Sequence, residues 1–144
     1  MNQSGLDLLK EFEGFCWAAY PDPATGAEPW TIGYGFTKGV QPGQSITKEA
    51  AEKRLKLEVA EFESGVVAAC KRVPTPNQLA AMVCLAYNVG LGNFRLSTVL
   101  RRHNSGETFA AANAFYLWNR AGNKIMQGLI NRREAERSLY LAPN

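Results

Sequence analysis

The amino-acid sequence predicts an α+β fold, mainly helical, with a small β-containing lobe at the N-terminal end and a larger helical lobe after it. Three observations lead there. Helix caps followed by apolar residues at three- and four-residue steps recur from Ile46 onwards. Between Phe15 and Phe36 that periodicity gives way to aromatic residues broken by prolines and glycines. Finally, a chain of 144 residues, 46% apolar and 20% charged, is long enough to bury a core without disulfides or a metal. The expected division is a first helix and β lobe over about 1–45 and a helical lobe over about 46–144.

The chain opens on a capping-box-like start, Ser4-Gly5-Leu6-Asp7, with Leu6, Leu9 and Phe12 at helical spacing and Gly14 as the stop. Glu13 thus takes the last position of a short first helix, where the negative end of the dipole disfavours an ionised carboxylate. Pro21-Asp22-Pro23 and Ala24-Thr25-Gly26 then punctuate short runs such as Trp30-Thr31-Ile32. They read as a small, irregular antiparallel sheet in which Gly33 and Gly35 leave little room for bulk.

After a loop at Pro42, Gly43 and Ser45, Thr47 is the expected cap of a helix running to about Lys71, which Gly65 interrupts or tolerates. Thr75-Pro76 is a strong restart, and Leu79 to Val89 is apolar nearly all round, so this helix belongs in the middle of the main core. Gly90-Leu91-Gly92 ends it. Short helices are expected around 96–103 and 107–117 and a last one around 124–140, with no strand after the first third.

Composition excludes several classes of function. No stretch approaches the ~18 apolar residues of a membrane span, and the N-terminus lacks the basic-then-apolar pattern of a signal peptide, so neither membrane insertion nor an export signal is expected. Cys16, Cys70 and Cys84 form no CxxC pair and His103 has no ligand neighbour in sequence, which argues for free thiols and no metal site. His103 reads as a surface residue.

The net charge of +3 is unevenly spread. Residues 1–90 hold eight Lys/Arg against ten Asp/Glu, whereas residues 91–144 hold eight against three, a local balance of +5. Such a half suits a polyanion (nucleic acid, acidic lipid or wall polymer) or is simply a solvated basic face; charge alone does not choose. No helix-turn-helix or RNP signature supports nucleic acid.

Two carboxylates in contrasting settings stand out. Glu13 sits at a helix end beside Phe12, Phe15 and Trp17; Asp22 sits between two prolines in a rigid polar turn that favours its solvated, ionised form. Carboxylates whose environments differ in this way suit general acid/base cleavage of a glycosidic bond. Equally, a helix-terminal Glu is often merely exposed, and Asp beside Pro is often merely a turn former.

The strings Glu13-Gly14-Phe15, Tyr20-Pro21-Asp22 and Trp30-Thr31-Ile32-Gly33-Tyr34-Gly35 resemble the phage-type lysozymes, the endolysin muramidases of glycoside hydrolase family 24. The likeness continues in Ile46-Thr47-Lys48-Glu49-Ala50-Ala51-Glu52, Asn77-Gln78, Tyr87-Asn88-Val89-Gly90, Phe94, Ser97-Thr98-Val99-Leu100, Trp118, Gly128-Leu129 and Arg132-Arg133-Glu134. It implies a lysozyme-like bilobed domain with a cleft between the lobes. Glu13 would be the general acid, Asp22 the group assisting the attacking water, and Thr31 the residue holding that water. An inverting reaction on the β-1,4 bond between N-acetylmuramic acid and N-acetylglucosamine would follow, with no cofactor and no metal.

Tyr34, Asn88, Trp118 and Glu28 are the candidate substrate contacts, against core packing for the aromatic ones. Arg132 and Arg133 approach the catalytic Glu or, on the favoured reading, pair with Glu134 and Glu136 on the helix surface. Two departures from the family stand out. Eight residues separate Asp22 from Thr31 where about five are usual, the excess lying in Ala24–Pro29, and Phe36 stands where relatives commonly have His.

The resemblance further implies a monomer acting on bacterial peptidoglycan, held in the host cytoplasm until a separate holin releases it to the wall. A virion-associated lysozyme used as the phage enters a host would look the same. A lytic transglycosylase, which uses one Glu, and a catalytically inactive wall-binding module are the alternatives.

Overall fold

The computed structural model describes residues 1–144 and has the α+β, mainly helical architecture read from the sequence. The first helix, α1 (Gln3–Glu13), is capped by Asn2 and not by Ser4: the Asn2 side-chain oxygen accepts from the Gly5 N–H at 3.0 Å. Two compact units divide the chain. Lys10–Glu58 forms the smaller, and Met1–Leu9 with Val59–Asn144 forms the larger, so α1 and α2 (Lys48–Ala69) each run through the division.

In the smaller unit, β1 (Cys16–Tyr20) pairs antiparallel with β2 (Thr31–Gly33). Cys16 lies opposite Gly33 and Tyr20 opposite Thr31, and the register shifts between those pairs. Ile32 and Phe36 exchange backbone hydrogen bonds, both at 2.9 Å, which folds the chain tightly over Gly33. Gly33 is required there: its φ is +64°, and a Cβ would lie 2.7 Å from the Phe36 ring. Thr47 caps α2 as expected, its hydroxyl accepting from the Ala50 N–H at 3.1 Å. Ala51 and Leu55 of α2 are fully buried.

The larger unit is built around α3 (Pro76–Val89), which packs on α7 (Gln127–Leu141). Thr75 caps α3 in a full capping box with Gln78, and Ala80 to Ala86 are all buried, as a helix apolar on every side requires. Gly65 does not interrupt α2; it gives Leu91 room, since a Cβ there would meet the Leu91 side chain at 2.7 Å. Beyond Gly90 come α4 (Leu91–Arg95), α5 (Thr98–Asn104), α6 (Thr108–Ala114) and a 3-10 turn at Phe115–Leu117.

Three expectations need correction here. The C-terminal part is not wholly helical: β3 (Arg120–Ala121) and β4 (Lys124–Ile125) form a short exposed hairpin. His103 is not a surface residue but 3% exposed, one ring nitrogen 2.7 Å from the Tyr140 hydroxyl and the other 3.0 Å from the Arg72 carbonyl. Arg132 and Arg133 do pair with Glu136, yet all three are buried, not on the helix surface.

Candidate active site

Glu13 is the last residue of α1 and is half-buried. Gly14, at φ +69°, ends the helix there, its N–H donating to the Lys10 carbonyl at 2.9 Å. The Glu13 carboxylate is met by the backbone of Gly35: a Cβ at that position would lie 2.6 Å from Oε1 of Glu13. Gly35 also has φ +82°, so both steric and conformational constraints demand glycine. The sequence showed only that Gly35 allowed little bulk; its role in setting the carboxylate depends on contact across 22 residues of chain.

Behind Gly35 the packing is aromatic. Tyr34 is 3% exposed, its ring centroid 5.5 Å from Phe15 and 6.4 Å from Phe36. Little of Tyr34 is therefore open to a sugar, and it acts as a packing residue of the smaller unit. Phe36 is 1% exposed with the Arg54 guanidinium 4.6 Å over its ring, a structural position that an apolar aromatic side chain fills.

The turn between β1 and β2 holds the second carboxylate. Asp22 is half-buried, and its backbone closes a loop: its N–H donates to the Ala27 carbonyl at 2.9 Å, and its carbonyl accepts from Gly26 at 2.7 Å. The Asp22 carboxylate accepts from the Ala24 N–H at 3.4 Å and the Thr25 hydroxyl at 3.5 Å, long contacts that leave lone pairs available. The extra residues between Asp22 and Thr31 are taken up in this loop. Thr31 opens β2 directly across from Tyr20, two residues before Asp22. The structure thus brings Glu13, Asp22 and Thr31 into one compact unit, each half-buried.

Glu28 is exposed and lines a depression of about 500 Å³ with Pro29, Trp30, Thr37, Gly39, Val40 and Gln41. Asn88 and Trp118 belong to the larger unit. Asn88 is exposed near the end of α3; Trp118 is half-buried, and its carbonyl accepts from Arg133 at 3.2 Å. No group of three His, Cys, Asp or Glu side chains lies close enough to hold a metal ion.

The phage lysozyme family model matches residues 10–136, which contain every candidate catalytic residue. The chain belongs to the phage lysozyme family. Among the relatives of this chain is the endolysin of Bacillus phage B103, 44% identical over 98% of the present chain. The endolysin of Salmonella phage P22 is 37% identical, with 99% of this chain and 98% of that protein covered. The chain spans only 54% of the length of the B103 protein.

Among solved structures, the muramidase domain of SpmX from Asticaccaulis excentricus superposes with TM-score 0.91 at 34% identity, covering 99% of this chain and 97% of that one. A point mutant of P22 lysozyme gives 0.87 at 35% identity, with 99% and 98% covered. No helix of the chain is long and apolar enough to cross a membrane.

The expected pairing of Arg132 and Arg133 with Glu136 forms in the larger unit, but as a buried ionic cluster. Glu136 is fully buried, with Oε2 accepting from Arg133 at 3.1 Å and from Arg132 at 3.4 Å. Nε of Arg133 lies 2.8 Å from Oε1, but the N–H is not aimed at that oxygen, so this contact is an ion pair and not a hydrogen bond. Burial pushes the Glu136 carboxyl up to about 7 against the opposing pull of both guanidiniums, and burial likewise lowers Arg133. The spacing of Arg132, Arg133 and Glu136 was visible in sequence; that this face of α7 turns towards α3 was not.

Proposed function

We propose that this chain is a peptidoglycan muramidase, hydrolysing the β-1,4 bond between N-acetylmuramic acid and N-acetylglucosamine, and that it serves as a phage endolysin. The supporting observation is the Glu13 carboxylate held at the end of α1 against the Gly35 backbone, in one compact unit with Asp22 and Thr31. In this reading Glu13 donates its proton to the glycosidic oxygen as the C–O bond breaks. A water attacks C1 from the opposite face, Asp22 takes its proton, and the Thr31 hydroxyl fixes its position, donating to a carboxylate and accepting from water.

Inversion at C1 needs space for that water, so the Glu13 and Asp22 carboxyl groups should stand roughly 6.5–9.5 Å apart in the substrate complex. Asn88, Trp118 and Glu28 are the remaining candidate sugar contacts, in a single bilobed domain acting as a monomer. Release to the wall through a separate holin completes the proposal.

The test is turbidity loss of permeabilised Gram-negative cells, wild type against Glu13→Gln, with mass spectrometry of the products. Lysis by wild type alone, with reducing-end muramic acid of inverted configuration, is expected. A 1,6-anhydro product would make the chain a lytic transglycosylase, and undiminished lysis by Glu13→Gln would remove Glu13 from the mechanism.

A further inference from the structure

The larger unit carries a second recess that the muramidase reading does not use. It has a volume of about 760 Å³, lies at the C-terminal end of α2 beside α4 and α5, and is lined by Lys71, Arg95 and Arg101 among ten residues, none of them acidic. Several arginines elsewhere are paired: Arg54 with Glu58 at 3.2 Å, Arg102 with Glu107 at 3.0 Å, Arg132 and Arg133 with Glu136. Lys71, Arg95 and Arg101 have no carboxylate partner. Three like charges gathered around one recess repel one another and lower the free energy of any anion that enters.

The recess is built, not incidental. The Asn104 side chain joins its two walls, accepting from the Lys71 N–H at 2.9 Å and donating to the Ala69 carbonyl at 3.2 Å. That satisfies the backbone at the end of α2 and leaves the cationic side chains as the groups still able to donate. Two guanidinium forks and an ammonium match phosphate oxygens in geometry as well as charge. No aromatic ring lines the recess, so it offers no platform on which nucleic-acid bases could stack.

We propose that this recess binds the phosphodiester backbone of an anionic envelope polymer of the polyol-phosphate kind, tethering the enzyme to the wall. The inference rests on the muramidase reading only for where such a polymer is met. The +5 balance of residues 91–144 then acts at a defined place, two of its arginines lining the recess, and not as a diffuse face.

The test measures binding of the full chain to poly(glycerol phosphate) by isothermal titration from about 0.05 to 0.3 M salt. Wild type is compared with Arg95→Ala/Arg101→Ala and with the control Lys53→Ala/Lys56→Ala, which removes two exposed charges of the smaller unit. The recess variant should lose roughly tenfold in affinity and the control less than about twofold, with unchanged melting temperatures. All three should cut walls stripped of phosphate polymer at equal rates.

Equal losses in both double variants would reduce the effect to net charge and overturn the proposal. So would tighter binding to single-stranded DNA at the same phosphate concentration, or no binding by wild type. A wild type that binds the polymer but leaves stripped walls intact would sink the muramidase reading and leave the recess standing; the converse would do the opposite.

Discussion

Replacing Gly35 by alanine isolates the positioning of Glu13 from the stability of the fold. The new methyl group would sit 2.6 Å from Oε1 of Glu13, whereas ordinary contact begins near 3.4 Å, so the carboxylate must retreat by about 0.8 Å. The carboxylate is the far end of a flexible side chain and can shift without moving backbone. The fold loses mainly the backbone term, about 1–2 kcal/mol for a non-glycine residue at φ +82°. At this chain length that corresponds to a fall in Tm of roughly 2–4 °C per kcal/mol, leaving the variant folded at assay temperature. Catalysis is far more sensitive, because a misplacement of about 1 Å costs on the order of 100-fold. The expected outcome is therefore a near-native circular-dichroism melt alongside a turbidity-loss rate one to two orders of magnitude below wild type. A folded Gly35→Ala protein that lyses cells within about threefold of wild type would refute the claim that Gly35 sets the position of Glu13.

Three further outcomes follow from the larger unit. At pH 8, where Glu136 is ionised, Glu136→Ala strands the buried Arg133 charge and should cost about 3–5 kcal/mol in urea unfolding; a cost under about 1 kcal/mol would mean that the guanidinium finds water or another partner. Thr75→Ala removes the cap of α3 and should cost about 1 kcal/mol, read as the same shift by heat and by urea. His103 and Glu136 should tilt stability in opposite senses with pH. Burial lowers His103, so it stays neutral in the fold while the unfolded chain protonates below about 6.5, and its contribution is lost as pH falls below that value. Glu136, raised to about 7, keeps a proton in the fold that the unfolded chain has lost, so its contribution fades as pH rises from about 4.5 to 7. Between pH 5 and 7, His103→Gln should make the slope of stability against pH more negative and Glu136→Gln more positive; slopes that move together would contradict the assignment.

What could be read beforehand was whatever is encoded locally. Thr47, and Thr75 followed by Pro76, announce their helices within four residues, and Ala80–Ala86 announces the core by leaving no polar face. Glu13, Asp22 and Thr31 could be named as candidates because they lie in an ordered motif within one stretch of chain. What failed was written at a distance. His103 sits in the polar run Arg101-Arg102-His103-Asn104, and only Tyr140, 37 residues on, makes it a buried group. Arg132, Arg133 and Glu136 show the i,i+3 and i,i+4 spacing of an exposed helix, and only the packing of α7 on α3 removes them from water. The β3–β4 hairpin has two residues per strand, all exposed, too short for any alternation to register. Asn2 and Ser4 are both good caps, and nothing local ranks them.

The larger unit is discontinuous in the chain, and this governs the order in which the protein can be made. Its first nine residues are synthesised before the smaller unit, yet their partners come much later. Asn2 donates to Asn77 at 2.8 Å, the Cys84 thiol donates to the Gly5 carbonyl at 3.5 Å, and the Asn77 N–H in turn donates to the Asn144 side-chain oxygen at 2.9 Å. Contacts of such long sequence separation form late and slow folding. Vectorial synthesis therefore leaves the opening segment waiting, its apolar face uncovered, until α3 has left the ribosome. The smaller unit, continuous from Lys10 to Glu58, is under no such delay. The third of the chain that holds the catalytic candidates can thus be shaped while most of the larger unit is still being translated.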